Sequence, residues 1–469
     1  MGTIHAELYR RHRAVMPEWL ATYYDEPIEI ERGEGRYVWD GEGNRYLDFF
    51  GGILTTMTAH ALPEVTKAVS EQAGKILHTS TLYLVRPAVE LAERIAALSG
   101  IPDARVFFTP SGTEANDAAL LLATCYRRSN QVLALRNSYH GRSFPAIAVT
   151  GMRSWSATGL SPVQTFYVHG GYRYRSPFGH LPDDEYIAAC VADLSDVIST
   201  QTAGDVACFI AEPIQGVGGF TLPPDGLLGA FKEVLDAHGI PWISDEVQTG
   251  WGRTGDHFWG WQAHVAGADG RGSRGTDGGG PVPDMITFAK GLGNGLSIGG
   301  VIARAEIMNS IRANSISTFG GSPVTTAGAL ANLDYLLAHD LQGNARRVGG
   351  WLRAGIEKVA ADSPLIGDVR GKGLMIGVEI VRPGTSEPAP GEVAAVLEAA
   401  RRRGVLVGKG GLHGNVLRIA PPLSLTHEEA EQGLAALASA LDDAASPAQP
   451  GSASHKAASQ EHPAGGVVS

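Results

Sequence analysis

The chain of 469 residues is 43% hydrophobic and 19% charged, the balance of a globular protein with a large core and room for a subsidiary domain. Its formal charge of −11 excludes a general nucleic-acid or anionic-membrane binder, since both surfaces repel an acidic protein, and leaves open a local basic pocket for a small anion. Cys125, Cys190 and Cys208 lack disulfide or metal spacing and read as reduced thiols.

The start, "MGTIHAELYRRHRAV", lacks the apolar stretch of a signal peptide, and no segment reaches bilayer-spanning length, so a cytoplasmic protein is expected. Within residues 28–50, "GRYVWDGEGNRYLDFF" holds two alternating stretches about a Gly-Asn turn and predicts a hairpin. Short β-rich runs then alternate with helical ones. The strand candidates are "RVFFT" (105–109), "QVLALR" (131–136), "AIAVTG" (146–151), "CFIAEP" (208–213), "WISDEV" (242–247), "MITFAK" (285–290) and "GGVIA" (299–303). Helical segments include "EANDAALLLATCYRR" (114–128) and "GLLGAFKEVLDAHG" (226–239). Several strands are apolar throughout, as strands covered on both faces would be, so the expected class is α/β with a mostly parallel central sheet. From about residue 330 helical patterns resume, followed by "LMIGVEIV" (374–381), "GVLVGKGG" (404–411) and "NVLRIAPPL" (415–423), which predict a smaller α+β domain. The expected division is 1–55 with 329–445 as the small domain and 56–328 as the large one. A glycine-rich surface loop is expected at 266–283 and a disordered tail at 446–469.

Four stretches carry chemistry. In "DMITFAKGLGNG" (284–295) Lys290 ends an apolar run, where burial favours the neutral amine that attacks a carbonyl. Glycines 291, 293 and 295 are read as clearing the backbone for a ring or phosphate; a solvated loop lysine is the plain alternative. Asp245 ends the run "PWISD", at the carboxyl end of a buried strand where ligands bind in open α/β sheets, or else it caps a helix. Val247 and Gln248 follow it. Ser111, Gly112 and Thr113 of "TPSGTEAND" open a helix, a ready phosphate site, although Ser111 three residues before Glu114 also makes a capping box. In "NSYHGRS" (137–143) Tyr139 or His140 could stack on a flat ring or serve the core. Neither a P-loop nor a GxGxxG pattern is present, and no HExxH or cysteine cluster suggests a metal.

Taken in order, "SGTEAN", "YHGRS", "AEPIQGVGG", "SDEVQTGWGRTG", "DMITFAKGLGNG", "STFGGSPV" and "LRIAPPL" resemble the class III aminotransferases, pyridoxal 5'-phosphate enzymes of fold type I. The resemblance runs from about residue 28 to 440. It implies that Lys290 carries the internal aldimine and shuttles the substrate proton, and that Asp245 pairs with the pyridinium nitrogen. It also implies Val247 and Tyr139 on the two ring faces, His140 beside the cofactor, Gln248 near the ring hydroxyl, and phosphate at Ser111, Gly112 and Thr113. Thr318 of "STFGG" would reach in from a neighbouring subunit, implying a homodimer or a dimer-based tetramer. Arg418 of "LRIAPPL" matches the arginine that grips the substrate carboxylate, and Glu212 the glutamate that can pair with it as a gate.

"LRNSYHG", "EVQTGWGRTGDHFWGW" and "YLDFFGGI" look most like the alanine–glyoxylate aminotransferase 2 group, which includes 3-aminoisobutyrate–pyruvate aminotransferases and phospho-lyases. Alanine or a β-amino acid as donor, with glyoxylate or pyruvate as acceptor, is the implied chemistry. Arg142 is similar instead to an arginine of acetylornithine and 4-aminobutyrate aminotransferases that reads a substrate carboxylate. "GGILTTMTAHALPEV" (51–65) lacks the family's Gly-His-x-His-Pro pattern.

Overall fold

The computed structural model describes residues 3–264 and 281–445. The expected tail at 446–469, and the expected loop at 266–283 up to residue 280, lie outside the described residues. Seven strands form the central sheet: β1 (Ala104–Thr109), β2 (Gln131–Leu135), β3 (Gln164–Val168), β4 (Cys208–Ala211), β5 (Trp242–Asp245), β6 (Met285–Phe288) and β7 (Gly299–Arg304). Their spatial order is β1-β7-β6-β5-β4-β2-β3. All neighbouring pairs are parallel except those of β7, which runs antiparallel to both β6 and β1. The link between β6 and β7, residues 289–298, is shorter than the crossover of about a dozen residues that a parallel pair needs. The fold is thus α/β with a largely parallel sheet.

Alternate residues of each inner strand enter different cores. Leu133, Phe209, Trp242 and Ile286 pack with Leu194 of the helix Asp183–Gln201 and Phe231 of the helix Leu227–Ala237. Val132, Cys208, Ile243 and Met285 pack with Ala115, Ala119 and Ala123 of the helix Gly112–Arg127. Both faces are dry, which is why these strands read as continuous apolar runs. Burial of each large side chain contributes about 1.5–3 kcal/mol.

One strand expectation is overturned. "AIAVTG" does not join the sheet, because the segment Phe144–Ala148 is a helix. Ser143 caps it, its Oγ accepting from the Ala146 N–H at 3.2 Å, and Pro145 sits in the first turn, where its missing N–H is harmless. The edge position belongs to β3, "QTFYV", whose mostly half-exposed residues leave a weak apolar signal.

At the N-terminal side Tyr37–Asp40 and Arg45–Asp48 form the expected hairpin. Asp40 Oδ1 closes its turn by accepting from the N–H groups of Glu42 (3.0 Å) and Asn44 (2.8 Å). Val405 and Leu406 pair in parallel with Leu47 and Asp48, so the two ends of the chain share a sheet. A further antiparallel sheet is built from Ile366–Lys372, Met375–Ile380, Val416–Ile419 and Gly408–Gly410. It shares one core with Leu352 and Ile356 of the helix Leu341–Asp362 and Leu437 of the helix His427–Ala445. The expected boundary at 328–329 falls inside the helix Pro323–Ala338. Among the described residues no helix is long and apolar enough to cross a membrane, and the three cysteines are unpaired.

Candidate active site

Strand direction gathers the chemistry. β1 runs the same way as β6, because each is antiparallel to β7. The carboxyl ends of β1, β2, β4, β5 and β6 therefore open on one edge of the sheet. They release in turn Ser111–Thr113, Asn137–Gly141, Glu212, Asp245–Gln248 and Lys290.

Asp245 is buried, and both its oxygens accept hydrogen bonds. Its Oδ2 meets Asn116 Nδ2 and His140 Nδ1, both at 2.8 Å, and its Oδ1 accepts from the Val247 N–H at 3.1 Å. Asn116 Nδ2 also donates to the His140 carbonyl at 2.8 Å, and the His140 N–H donates to Thr150 Oγ1 at 3.1 Å. The carboxylate is thus locked by the helix Gly112–Arg127 on one side and the post-β2 loop on the other. Its neighbour Glu246 leaves the strand in the opposite direction. There it accepts from Ser244 and Thr249 hydroxyls and from the Gly260 and Trp261 N–H groups, and burial pushes it up to about 7. The Asp-Glu tandem therefore divides into one residue facing the site and one holding the scaffold.

Lys290 stands in the left-handed region (φ 43°), a conformation an L-residue keeps only where its surroundings hold it. Burial pulls its ammonium down to about 8; Asp245 and Glu212 resist that fall and Arg418 adds to it. The glycines beyond it have a different cause from the one expected. A Cβ on Gly291 would lie 2.5 Å from Met57 Sδ, and one on Gly293 would meet Ile298 at 3.0 Å. Gly291 and Gly293 therefore make room for the chain's own side chains, while Gly295 serves a turn at φ 107°. The loop is tied down by Asn332 Nδ2, which donates to the Gly291 and Leu292 carbonyls at 2.9 Å. Asn294 ties it too, accepting from the Thr58 N–H and donating to the Ala59 carbonyl. Asn116, Asn294 and Asn332 escape a sequence reading because their partners are distant in the chain.

Gly112 lies against Val247 and Ala289, whose methyls would be 3.1 and 3.5 Å from a Cβ at 112. Gly141 approaches Thr113 in the same way, 2.7 Å from its Oγ1. The helix N-terminus thus sits over the ends of β5 and β6. One half of the expected capping box forms, the Ser111 Oγ accepting from the Glu114 N–H at 3.2 Å. Glu114 itself turns to Ser317, whose hydroxyl donates to it at 2.7 Å. That leaves Gly112 and Thr113 in the first turn, where N–H groups lack helical acceptors. Thr318, next to Ser317, is exposed.

Tyr139 packs edge-on against Trp155 at 5.2 Å, and its N–H donates to Glu212 Oε1 at 2.9 Å. Glu212 Oε2 accepts from the Gly216 N–H at 2.8 Å, and burial pushes this carboxyl up to about 7, with His140 opposing and Asp245 reinforcing the rise. Arg418 is buried. It donates to the carbonyls of Lys409 (2.9 Å) and Gly216 (3.2 Å) and to Tyr23 Oη (3.3 Å), and its guanidinium lies 4.8 Å from the Phe50 ring centre. Glu212 and Arg418 therefore meet the two ends of Gly216 without pairing with each other. Gln248 presses on Gly216 as well, its amide 2.3 Å from where a Cβ would be. Arg142 stands outside this cluster, exposed, 5.2 Å over the Trp19 ring.

Pyridoxal phosphate fits this set of groups. A carboxylate waits at a strand end for a ring nitrogen, and a helix N-terminus for a phosphate. His140 Nε2, Asn116 Oδ1 and Gln248 Oε1 are buried polar atoms without a hydrogen-bond partner, as expected where a polar ring belongs.

Comparison with known proteins agrees. The family model described as aminotransferase class-III matches residues 20–441. The chain is 38% identical to "Alanine--glyoxylate aminotransferase 2 homolog 2, mitochondrial" of Arabidopsis thaliana, covering 90% of this chain and 84% of that protein. Among solved structures, an (S)-enantioselective omega-transaminase from Thermomicrobium roseum is 34% identical, with a TM-score of 0.83 over 94% of this chain and 98% of that one. A phospholyase from Arthrobacter in complex with phosphoethanolamine is 32% identical, with a TM-score of 0.81 over 93% and 99%. With a strand-end lysine and aspartate, a helix N-terminus and a buried arginine converging on one sheet edge, the chain belongs to the class III aminotransferases, enzymes that depend on pyridoxal phosphate.

Proposed function

We propose that this aminotransferase takes an amino group from alanine or a β- or ω-amino acid and delivers it to glyoxylate or pyruvate, acting as a homodimer. The observation that carries the substrate class is Arg418. Its guanidinium is buried, yet among the described residues it is held only by two carbonyls and a phenol, with no carboxylate in contact. A buried cation satisfied by neutral acceptors is poised for an incoming carboxylate, which it can grip with two parallel hydrogen bonds. Exposure of Thr318 suits a residue contributed across a subunit interface. The pairing of residues 47–48 with 405–406 supports a small domain built from both ends of the chain around a cofactor domain.

Pyridoxal phosphate, when bound, supplies the electron sink that makes a substrate C–H acidic. Asp245 would hold the ring nitrogen protonated, while Val247 and Tyr139 would enclose the ring. Gln248 would lie by its hydroxyl, and Ser111, Gly112 and Thr113 would receive the phosphate. Lys290 Nζ would take the proton from the donor's carbon and return it, and Arg418 would fix the carboxylate so that this proton faces the amine.

Loading of the apoprotein with pyridoxal phosphate needs neutral Lys290. A lysine whose value is lowered to about 8 gains its neutral form at lower pH than an ordinary lysine. The loading rate is expected to rise with pH and level off above about 8; a rise continuing toward pH 10 would contradict this. Arg418→Lys keeps the charge and loses the fork, so the KM for the keto acid is expected to rise about 10–100-fold, with a smaller change in kcat.

The test of the function is a panel of amine donors against pyruvate, glyoxylate and 2-oxoglutarate, with both products counted. Equal amounts of keto and amino product with glyoxylate or pyruvate support the proposal. The Arthrobacter neighbour favours one rival, elimination of phosphate from an amino-alcohol phosphate. Release of ammonia and phosphate from phosphoethanolamine without any keto acid would establish that rival instead.

A further inference from the structure

Outside the site lies a second polar cluster that the chemistry above does not use. Glu379, on the strand Met375–Ile380, is 0% exposed and accepts from four residues of three segments, Tyr172 and Arg175 sharing one turn. Tyr172 Oη lies 2.7 and 2.8 Å from its two oxygens. Arg175 Nε (2.9 Å) and Asn415 Nδ2 (3.0 Å) reach Oε1, and Arg370 Nη2 (2.8 Å) reaches Oε2. Burial pushes this carboxyl up, but Arg370, Asn415 and Tyr172 outweigh it and keep the group below its ordinary range. It remains an anion in the protein interior, where a charge is tolerated only when its partners are complete.

Two of those partners lead to Arg418. Arg370 places both Nε (3.1 Å) and Nη2 (2.8 Å) on the Gly219 carbonyl, and the Gly219 N–H donates to the Gly216 carbonyl at 3.2 Å. That same Gly216 carbonyl accepts from Arg418 Nη1, and the Gly216 N–H holds Glu212. The turn 216–219 has no slack: Gly219 stands at φ 102°, and a Cβ there would lie 2.9 Å from Val416 Cγ2. The second route runs through Asn415, which binds Glu379 and the Ile380 carbonyl and immediately precedes the strand Val416–Ile419 that carries Arg418. Glu379 thus fixes the turn facing the guanidinium and also the strand beneath it.

We propose that Glu379 is a positioning residue that, through Arg370 and the Gly216–Gly219 turn, sets where Arg418 meets the substrate carboxylate. This rests on the carboxylate-binding reading of Arg418. Without the anion, Arg370 keeps Asp368 on its Nη1 (2.7 Å) but loses the carboxylate that holds Nη2, the nitrogen that also reaches Gly219, and the turn and guanidinium shift relative to each other. Affinity for the carboxylate then falls, while Lys290 and Asp245, held by other bonds, keep their places.

The test compares holoenzymes of the wild type, Glu379→Gln, Arg370→Lys and Arg418→Lys, with steady-state kinetics on the working keto acid and cofactor content measured for each. Arg370→Lys retains a charge for Glu379 but cannot fork onto Gly219, and it keeps the test decisive where Glu379→Gln folds poorly. The expected result is a rise of about tenfold in keto-acid KM for Glu379→Gln and Arg370→Lys, the worth of one charge-assisted hydrogen bond. Their kcat should stay within about twofold and their cofactor content at wild-type level. A merely structural role would instead lower kcat and cofactor content together. If Arg418→Lys raises KM and neither other variant does, the positioning role is wrong. If Arg418→Lys leaves KM unchanged, the carboxylate reading fails and this proposal falls with it.

Discussion

Lys290→Ala is expected to lower the transamination rate by about 10⁴-fold, the upper range for removing a positioned acid–base group, before the lost covalent attachment is added. The fold should survive. Alanine keeps the Cβ, so the left-handed backbone at this position (φ 43°) is no more strained than before, and the loop is held by Asn294 and Asn332, not by the lysine. Binding should also survive in weakened form, because Asp245 and the helix N-terminus are untouched. Borohydride treatment of the loaded proteins should therefore fix the cofactor on the Lys290 peptide of the wild type and on no peptide of the variant. Lys290→Arg is the sharper control. It preserves a cation among Asp245, Glu212 and Arg418, but a guanidinium does not become neutral in the working range. It should be as inactive as the alanine variant if the amine's proton traffic is what matters. Activity above about 1% of wild type in Lys290→Ala, or label on another lysine, would remove Lys290 from its assigned role.

How much of this site could be read from the chain depends on how local its causes are. Asp245 and Lys290 are legible because an apolar run marks a buried strand, and its end marks the ligand edge of an α/β sheet, whereas Glu212 enters only through the family resemblance. The same logic fails for "AIAVTG", because Ser143 and Pro145 start a helix there and override the apolar run. The glycines after Lys290 depart from the expectation for a different reason. What fills the space beside Gly291 is Met57, which only the tertiary fold brings there. Asn116 shares that difficulty. Its amide joins Asp245 to the His140 carbonyl, and nothing within the helix Gly112–Arg127 announces either partner. The antiparallel course of β7 was in principle readable from the short link before it. Arg418 was found through resemblance, and its lack of an acidic partner is visible only in three dimensions.

Asp245→Asn should cost about 10²–10⁴-fold in kcat with almost no change in side-chain volume. The carboxylate accepts on both oxygens, Oδ2 from Asn116 and His140 and Oδ1 from the Val247 N–H. An amide in its place must turn its NH₂ toward one of those sets, so a buried donor faces a donor whichever way it flips, at about 1–3 kcal/mol. The negative charge that would keep a ring nitrogen protonated disappears as well. Removing one partner of a buried charge pair costs about 3–5 kcal/mol, which is the larger effect and sets the expected rate loss. Asp245→Glu separates the two contributions: it restores the charge but, one methylene longer, cannot keep all three hydrogen bonds, and it should recover only part of the rate. A cofactor analogue whose ring nitrogen is methylated, and so permanently positive, gives the decisive comparison. If the charge on the nitrogen is what Asp245 maintains, the analogue should raise the kcat of Asp245→Asn by about tenfold or more over the natural cofactor and should give the wild type no such gain. An Asp245→Asn enzyme within about tenfold of wild type, or one indifferent to the analogue, would mean that this carboxylate braces Asn116 and His140 and does nothing for the ring.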